Sequence, residues 1–285
     1  MKLSKIISIM IMLLILAGTS YAQKESYERL NNYTQKESWE RLNNKANNLY
    51  LQARYSEAIK IGKEALRVAE KTFGPDHQNV GSTLNNLAAS YRAQEKYDEA
   101  ESLYKRSLEI YEKALGPNHP VVAKSINNLA LLYKSQEKYD EAEALYKQAL
   151  EIKEKALGKE HPNVATSMNN LAALYYSQGK YDEAEPLFER ALAIQEKVLG
   201  KEHPDVATSL NNLASLYQDQ GNYSLAESHY KRALAIYEKT FGPNHPNVGK
   251  VLGNMAVCYK NLGDDDEAKK LEERAKKIKK TYTGQ

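Results

Sequence analysis

The tetrapeptide Asn-Asn-Leu-Ala stands at residues 85–88, 127–130, 169–172 and 211–214, each copy 42 residues after the last. A worn copy, Gly-Asn-Met-Ala, follows at 253–256 in the same register. Two further landmarks keep this period. Lys-Tyr-Asp-Glu-Ala occurs at 96–100, 138–142 and 180–184, with degraded forms at 54–58, 222–226 and 264–268. Gly-x-x-His begins at Gly74, Gly116, Gly158, Gly200 and Gly242. Three landmarks on one period make the chain an array of like units. Each unit is too small to bury its own apolar face and must share a core with its neighbours.

Each unit reads as two helices. Leu84, Leu87, Ala88 and Tyr91 fall at i, i+3, i+4 and i+7, one face of a helix over about 80–93. Gln94, Glu95 and Lys96 make a short turn. A second helix starts near Tyr97, with Asp98 and Glu99 in its first turn, where the helix dipole favours acids. Its apolar stripe runs through Ala100, Leu103, Tyr104, Ser107, Leu108 and Tyr111, and Gly116-Pro117 stops it. No stretch alternates with period two, so no strands are placed.

The small residue at Ala88, the aromatic at Tyr91 and the alanine at Ala100 match the spacing of tetratricopeptide repeats. The chain resembles the kinesin-light-chain type of that family, with a 42-residue period, an extended second helix and a Gly-Pro-Asn-His-Pro linker. The resemblance implies an all-α fold, a right-handed α-solenoid of stacked helical hairpins whose first helices line a concave groove. It also implies that such groove residues hold extended peptides.

Four segments are expected: a signal peptide at 1–22, a polar duplicated segment at 23–37, an array of about six repeats at 38–281, and a tail at 282–285. Lys2 and Lys5, the apolar run 6–17, and small Ser20 and Ala22 before Gln23 form a secretory signal with cleavage after Ala22. The expected location is the periplasm or the extracellular medium. Removing that segment lowers the formal net charge from +3 to +1. No stable membrane span is read in the chain. Residues 23–32 and 35–44 are near duplicates that differ by Tyr27 against Trp39. The array ends look like polar caps. Glu272 takes the place of Tyr104, Tyr146, Phe188 and Tyr230, and Lys276 that of Leu108 and its equivalents.

Most candidates for chemistry fail. His77, His119, His161, His203 and His245 recur in the linkers, too far apart to share one zinc ion. They are read as linker-ordering residues. Cys258, the one cysteine, replaces a core leucine and reads as a buried apolar side chain. No catalytic residue, metal site or cofactor is assigned, and an enzyme is not expected. The balanced charge and the lack of an aromatic platform argue against nucleic acid.

The site is placed in the groove. Opposite the packed face of each first helix lies Asn85, with Asn127, Asn169 and Asn211 as its equivalents; Gly253 breaks the row. An amide offers two donors and an acceptor, suited to a peptide backbone of any sequence. The alternative is that these amides, and those of Asn86, Asn128, Asn170 and Asn212, bond the neighbouring repeat. Arg92, Lys134 and Lys260 share one groove position, and Lys124 and Lys250 another, so a partly acidic extended peptide would suit the groove. The function expected is an exported protein-interaction scaffold, a monomer binding a peptide or protein tail. The competing reading is a structural protein that assembles with its own copies.

Overall fold

The computed structural model describes residues 21–283. The export signal read at 1–22 therefore lies almost wholly outside the described residues. The described residues form twelve helices and no strand. They fall into two compact units, the first ending at Ile110 and the second beginning at Tyr111.

The first unit contains α1 (Tyr21–Leu51), α2 (Tyr55–Phe73), α3 (Gln78–Arg92) and the greater part of α4 (Tyr97–Leu115). Residues 23–44 belong to α1, so both copies of the duplicated segment are helical. The second copy packs against the helices that follow. Trp39 Nε1 donates to Thr83 Oγ1 at 2.9 Å, and its ring meets Phe73 edge-on at 5.2 Å. Ala69, Val80, Leu84 and Ile110 form the core beneath.

The second unit is a stack of hairpins. Its helices are α5 (Pro120–Ser135), α6 (Tyr139–Leu157), α7 (Pro162–Ser177), α8 (Tyr181–Leu199), α9 (Pro204–Asp219), α10 (Tyr223–Phe241), α11 (Pro246–Leu262) and α12 (Asp265–Thr283). Odd-numbered helices are the first of each pair. Ala130, Ala172, Ala214 and Ala256 are fully buried, as are Ala142, Ala184, Ala226 and Ala268 on the second helices. These small side chains let helices approach, while Tyr146, Phe188 and Tyr230 fill the space between. Burying one such ring stabilises by about 1.5–3 kcal/mol. Overfilling one of the alanine positions would cost about 1–3 kcal/mol.

The linkers are ordered by the histidines, as the spacing suggested. Each caps the helix that follows: Nδ1 of His119, His161, His203 and His245 accepts the N–H two residues on, at 3.0–3.2 Å. His77 does the same in the first unit. A proline at N1 then sets the first turn of α5, α7, α9 and α11. The preceding helix is stopped at a residue such as Gly158, whose φ of 84° and ψ of 150° exclude a side chain. Pro186 does not end α8, which continues through it to Leu199.

The stack of the second unit is tighter on one side. The first helices α5, α7, α9 and α11 touch in succession. The second helices make no such backbone approach to each other among the described residues. Their long side chains span the gap instead: Arg190 to Glu154 at 3.9 Å, Arg232 to Glu196 at 2.5 Å, and Arg274 to Glu238. Such exposed ion pairs are worth only about 0–1 kcal/mol each. Direct packing therefore closes the first-helix side, which is the inner side of this unit.

Candidate functional site

The inner face of the second unit carries two rows. The outer row is Lys124, Thr166, Thr208 and Lys250, one residue from each of α5, α7, α9 and α11, all exposed. The inner row is Asn127, Asn169, Asn211 and Gly253, three residues further along each helix. These asparagines are only 5–7% exposed.

The inner row makes the inter-repeat bonds that were the alternative to ligand contact. Asn127 Nδ2 donates to Ser167 Oγ of the next first helix at 3.1 Å, and Asn169 Nδ2 to Ser209 Oγ at 2.6 Å. Asn211 Oδ1 accepts from Asn254 Nδ2 at 3.0 Å. The amides expected to meet a ligand already tie neighbouring repeats together. In the first unit Asn86 likewise donates to Asn43, at 3.2 Å, while Asn85 is half-buried. Phase gave the correct direction, but helices this close leave a neighbouring serine within reach.

The cations divide in the same way. Lys134 Nζ donates to the Ala173 carbonyl at 2.6 Å, and burial pushes its pKa below the usual lysine value. Lys260 is paired with Glu272 at 2.5 Å, which draws the polar cap helix onto α11. Arg92 lies against the Tyr104 hydroxyl in the first unit. Of the lysines expected in the groove, Lys124 and Lys250 are exposed. Asp219, at the C-terminal end of α9, accepts from Tyr176 at 2.6 Å and pushes that phenol upward, after burial the second cause. Glu40 is exposed on α1 of the first unit.

One residue escaped the sequence reading. Lys153, on α6, is 7% exposed and donates to Ser167 Oγ at 2.8 Å. Burial, then the nearby charge of Lys124, lowers its pKa to about 8. The signal was present in the spacing, because Ala149, Ile152 and Lys153 fall at i, i+3 and i+4 on the buried stripe. Cys258 is buried as expected, with Sγ directed to the Tyr223 carbonyl at 3.4 Å. His229 sits half-exposed against the Tyr217 ring. Among the described residues, no group of three or more histidines, cysteines or acids is placed to hold a metal ion.

With this geometry in hand, the comparisons are consistent. The tetratricopeptide-repeat family model matches residues 41–113, 163–239 and 205–281. The chain belongs to the tetratricopeptide-repeat family. A second model, the nephrocystin-3 tetratricopeptide domain, matches 103–199. The crystallised kinesin-light-chain-type protein of Podosopora anserina, with nearly identical TPR-like repeats, is 31% identical, with 72% of this chain and 97% of that one covered and a TM-score of 0.56. BtubC (BKLC) from P. vanneervenii is 27% identical, with 82% and 91% covered and a TM-score of 0.62. No protein of curated function matches. The repeats are thus of the kinesin-light-chain type, and the expected α-solenoid is the fold found. Tetratricopeptide arrays are protein-interaction scaffolds, and this is the function class of the chain. No described helix is long and apolar enough to cross a membrane.

Proposed function

We propose that this tetratricopeptide protein is an exported scaffold that holds an extended, partly acidic peptide or protein tail on the inner face of its second unit. The observation that carries the reading is the exposed row Lys124, Thr166, Thr208 and Lys250, one polar side chain per repeat, with the two threonine hydroxyls bonded to the Pro162 and Pro204 carbonyls and a lysine at each end. Packed helices lie roughly 8–10 Å apart, and an extended chain rises about 3.3 Å per residue. A segment of about eight residues would therefore cross all four helices, meeting a new side chain every two to three residues. The lysines at the two ends favour an acidic segment, chiefly by steering its approach. The asparagine row sets the spacing of the helices beneath and does not contact the peptide. Export rests on the character of residues 1–22.

The test is selection from a library of displayed ten-residue peptides, followed by titration of the best binder. Lys124→Ser together with Lys250→Ser should weaken it at least tenfold, and raised salt should slow its association. Changing Lys147 and Lys155 on the outer face of α6 should leave binding unchanged. The reading fails if no peptide is selected, or if only the outer-face changes reduce affinity. For export, the first residue of the protein recovered from outside the cytoplasm should be Gln23. An intact Met1 on all of the protein would overturn it.

A further inference from the structure

The serine that receives Asn127 and the serine that receives Asn169 have different third partners. Between α7 and α9, Asn169 donates to Ser209, and Ser209 donates to Gln195 Oε1 at 2.5 Å. Ser209 thus both accepts and donates, while Asn169 Oδ1 has no partner among the described residues. In the next repeat Tyr237 takes the place of Gln195, and its hydroxyl pairs with Thr208 at 2.7 Å. Between α5 and α7 the equivalent residue is Lys153. Both Asn127 Nδ2 and the Lys153 ammonium donate to Ser167 Oγ, which uses both of its lone pairs. The serine proton has no acceptor among the described residues. Lys153 keeps two further N–H groups, and Lys124, on α5, adds a second positive charge. Among the described residues, the charge that acts on Lys153 is that of Lys124, with no carboxylate beside it. Asn127 Oδ1 is without a partner, as Asn169 Oδ1 is in the next joint, so what sets this joint apart is its positive charge, with a lysine more than nine-tenths buried at its centre. A buried charge without a counter-ion is costly. An anion arriving from the groove would supply the missing counter-charge and would accept from the ammonium.

We propose that Lys153, Lys124 and the Ser167 hydroxyl form a subsite for a single carboxylate, filled by an aspartate or glutamate side chain of the bound peptide. The occupant rests on the peptide-binding reading; the subsite does not. The carboxylate enters beside Lys124, which is exposed at the rim, and is met below by the Lys153 ammonium. It accepts from the serine hydroxyl and from the ammonium, leaving Asn127 in its stacking role. The subsite belongs to one joint of the array, so it fixes the register of a peptide that the other joints hold without preference.

The full-length chain without its first 22 residues is titrated with acetate and with N-acetyl-aspartate amide, and separately with inorganic phosphate, at constant ionic strength in chloride. Binding is followed by calorimetry and by thermal shift. Both carboxylates should bind saturably at one site, and Lys153→Gln should weaken them at least tenfold, as should Lys124→Ser. These replacements are the residues that the array itself carries at the equivalent positions, Gln195 and Ser82, so the helices should be retained, and far-ultraviolet circular dichroism checks this. Equal carboxylate binding in the parent and both variants, or none in the parent, overturns the subsite. Phosphate binding without carboxylate binding overturns the assigned occupant. Failure of the peptide selection with carboxylate binding intact would remove the peptide reading and leave the subsite standing.

Discussion

Two joints of the second unit differ by little more than one side chain. At the α7–α9 joint, Asn169, Ser209 and Gln195 form a chain of hydrogen bonds. At the α5–α7 joint, Asn127 and Ser167 are unchanged in kind, and Lys153 replaces the glutamine. The first arrangement is uncharged. The second buries a cation beside a second lysine. A repeat scaffold thus holds its geometry constant while the chemistry of a single joint is altered. A binding preference can be written into one joint without disturbing the stack.

Both joints depend on the stack being closed at its end, and the largest effect is expected there. Deleting residues 264–285 removes α12 and uncovers Val251, Leu252 and Met255, each at most 3% exposed. The truncated protein should aggregate or melt far below the parent in light scattering and calorimetry, because repeat arrays need polar ends. A soluble truncation with an unchanged melting temperature would contradict the cap role of Glu272 and its pairing with Lys260.

The next effect exchanges the chemistry of the joints. Lys153→Gln should stabilise the protein by about 1–3 kcal/mol at neutral pH, since it removes a desolvated charge. Gln195→Lys should destabilise by a similar amount, because it creates an uncompensated charge at an uncharged joint. Denaturant unfolding of the two variants measures both. Equal and small changes would show that the joints are equivalent, against the comparison above.

A smaller effect concerns what the joints share. Changing Asn127 and Asn169 together to Ala removes two inter-repeat bonds worth about 0.5–1.5 kcal/mol each. The better helix propensity of alanine returns several tenths of a kcal/mol at each site. The melting temperature should fall while peptide affinity, once a binder is selected, stays the same. Lower affinity at unchanged stability would return these residues to the ligand.

The period, the helix pairs and the histidine caps were legible because each follows from local chemistry repeated in register. The buried alanines were legible for the same reason. The roles of the asparagines were legible only as two alternatives, since phase gives a direction and not the distance to the next helix. Lys134 was read as a groove cation from its position. Its four-carbon stem instead folds back to the Ala173 carbonyl, a choice made by the adjacent repeat. Lys153 was missed because it is polar. Its place on the stripe of Ala149 and Ile152 indicated burial, but lysine is a residue type almost never buried without a partner.

The difference between the joints rests on the state of Lys153, and its titration measures that most directly. The side-chain amine of Lys153 is followed by NMR against pH in chloride, with Lys153→Gln to assign the signal. The account predicts a midpoint near 8, below the ordinary 10.5 because of burial and the charge of Lys124. The sign follows for stability. A lysine lowered in the fold binds fewer protons there than when unfolded, so the parent should gain on Lys153→Gln as pH rises from about 8 toward 10.5. A midpoint at 10.5, with a constant stability difference, would mean that the ammonium is solvated and that the α5–α7 joint is no different from its neighbour.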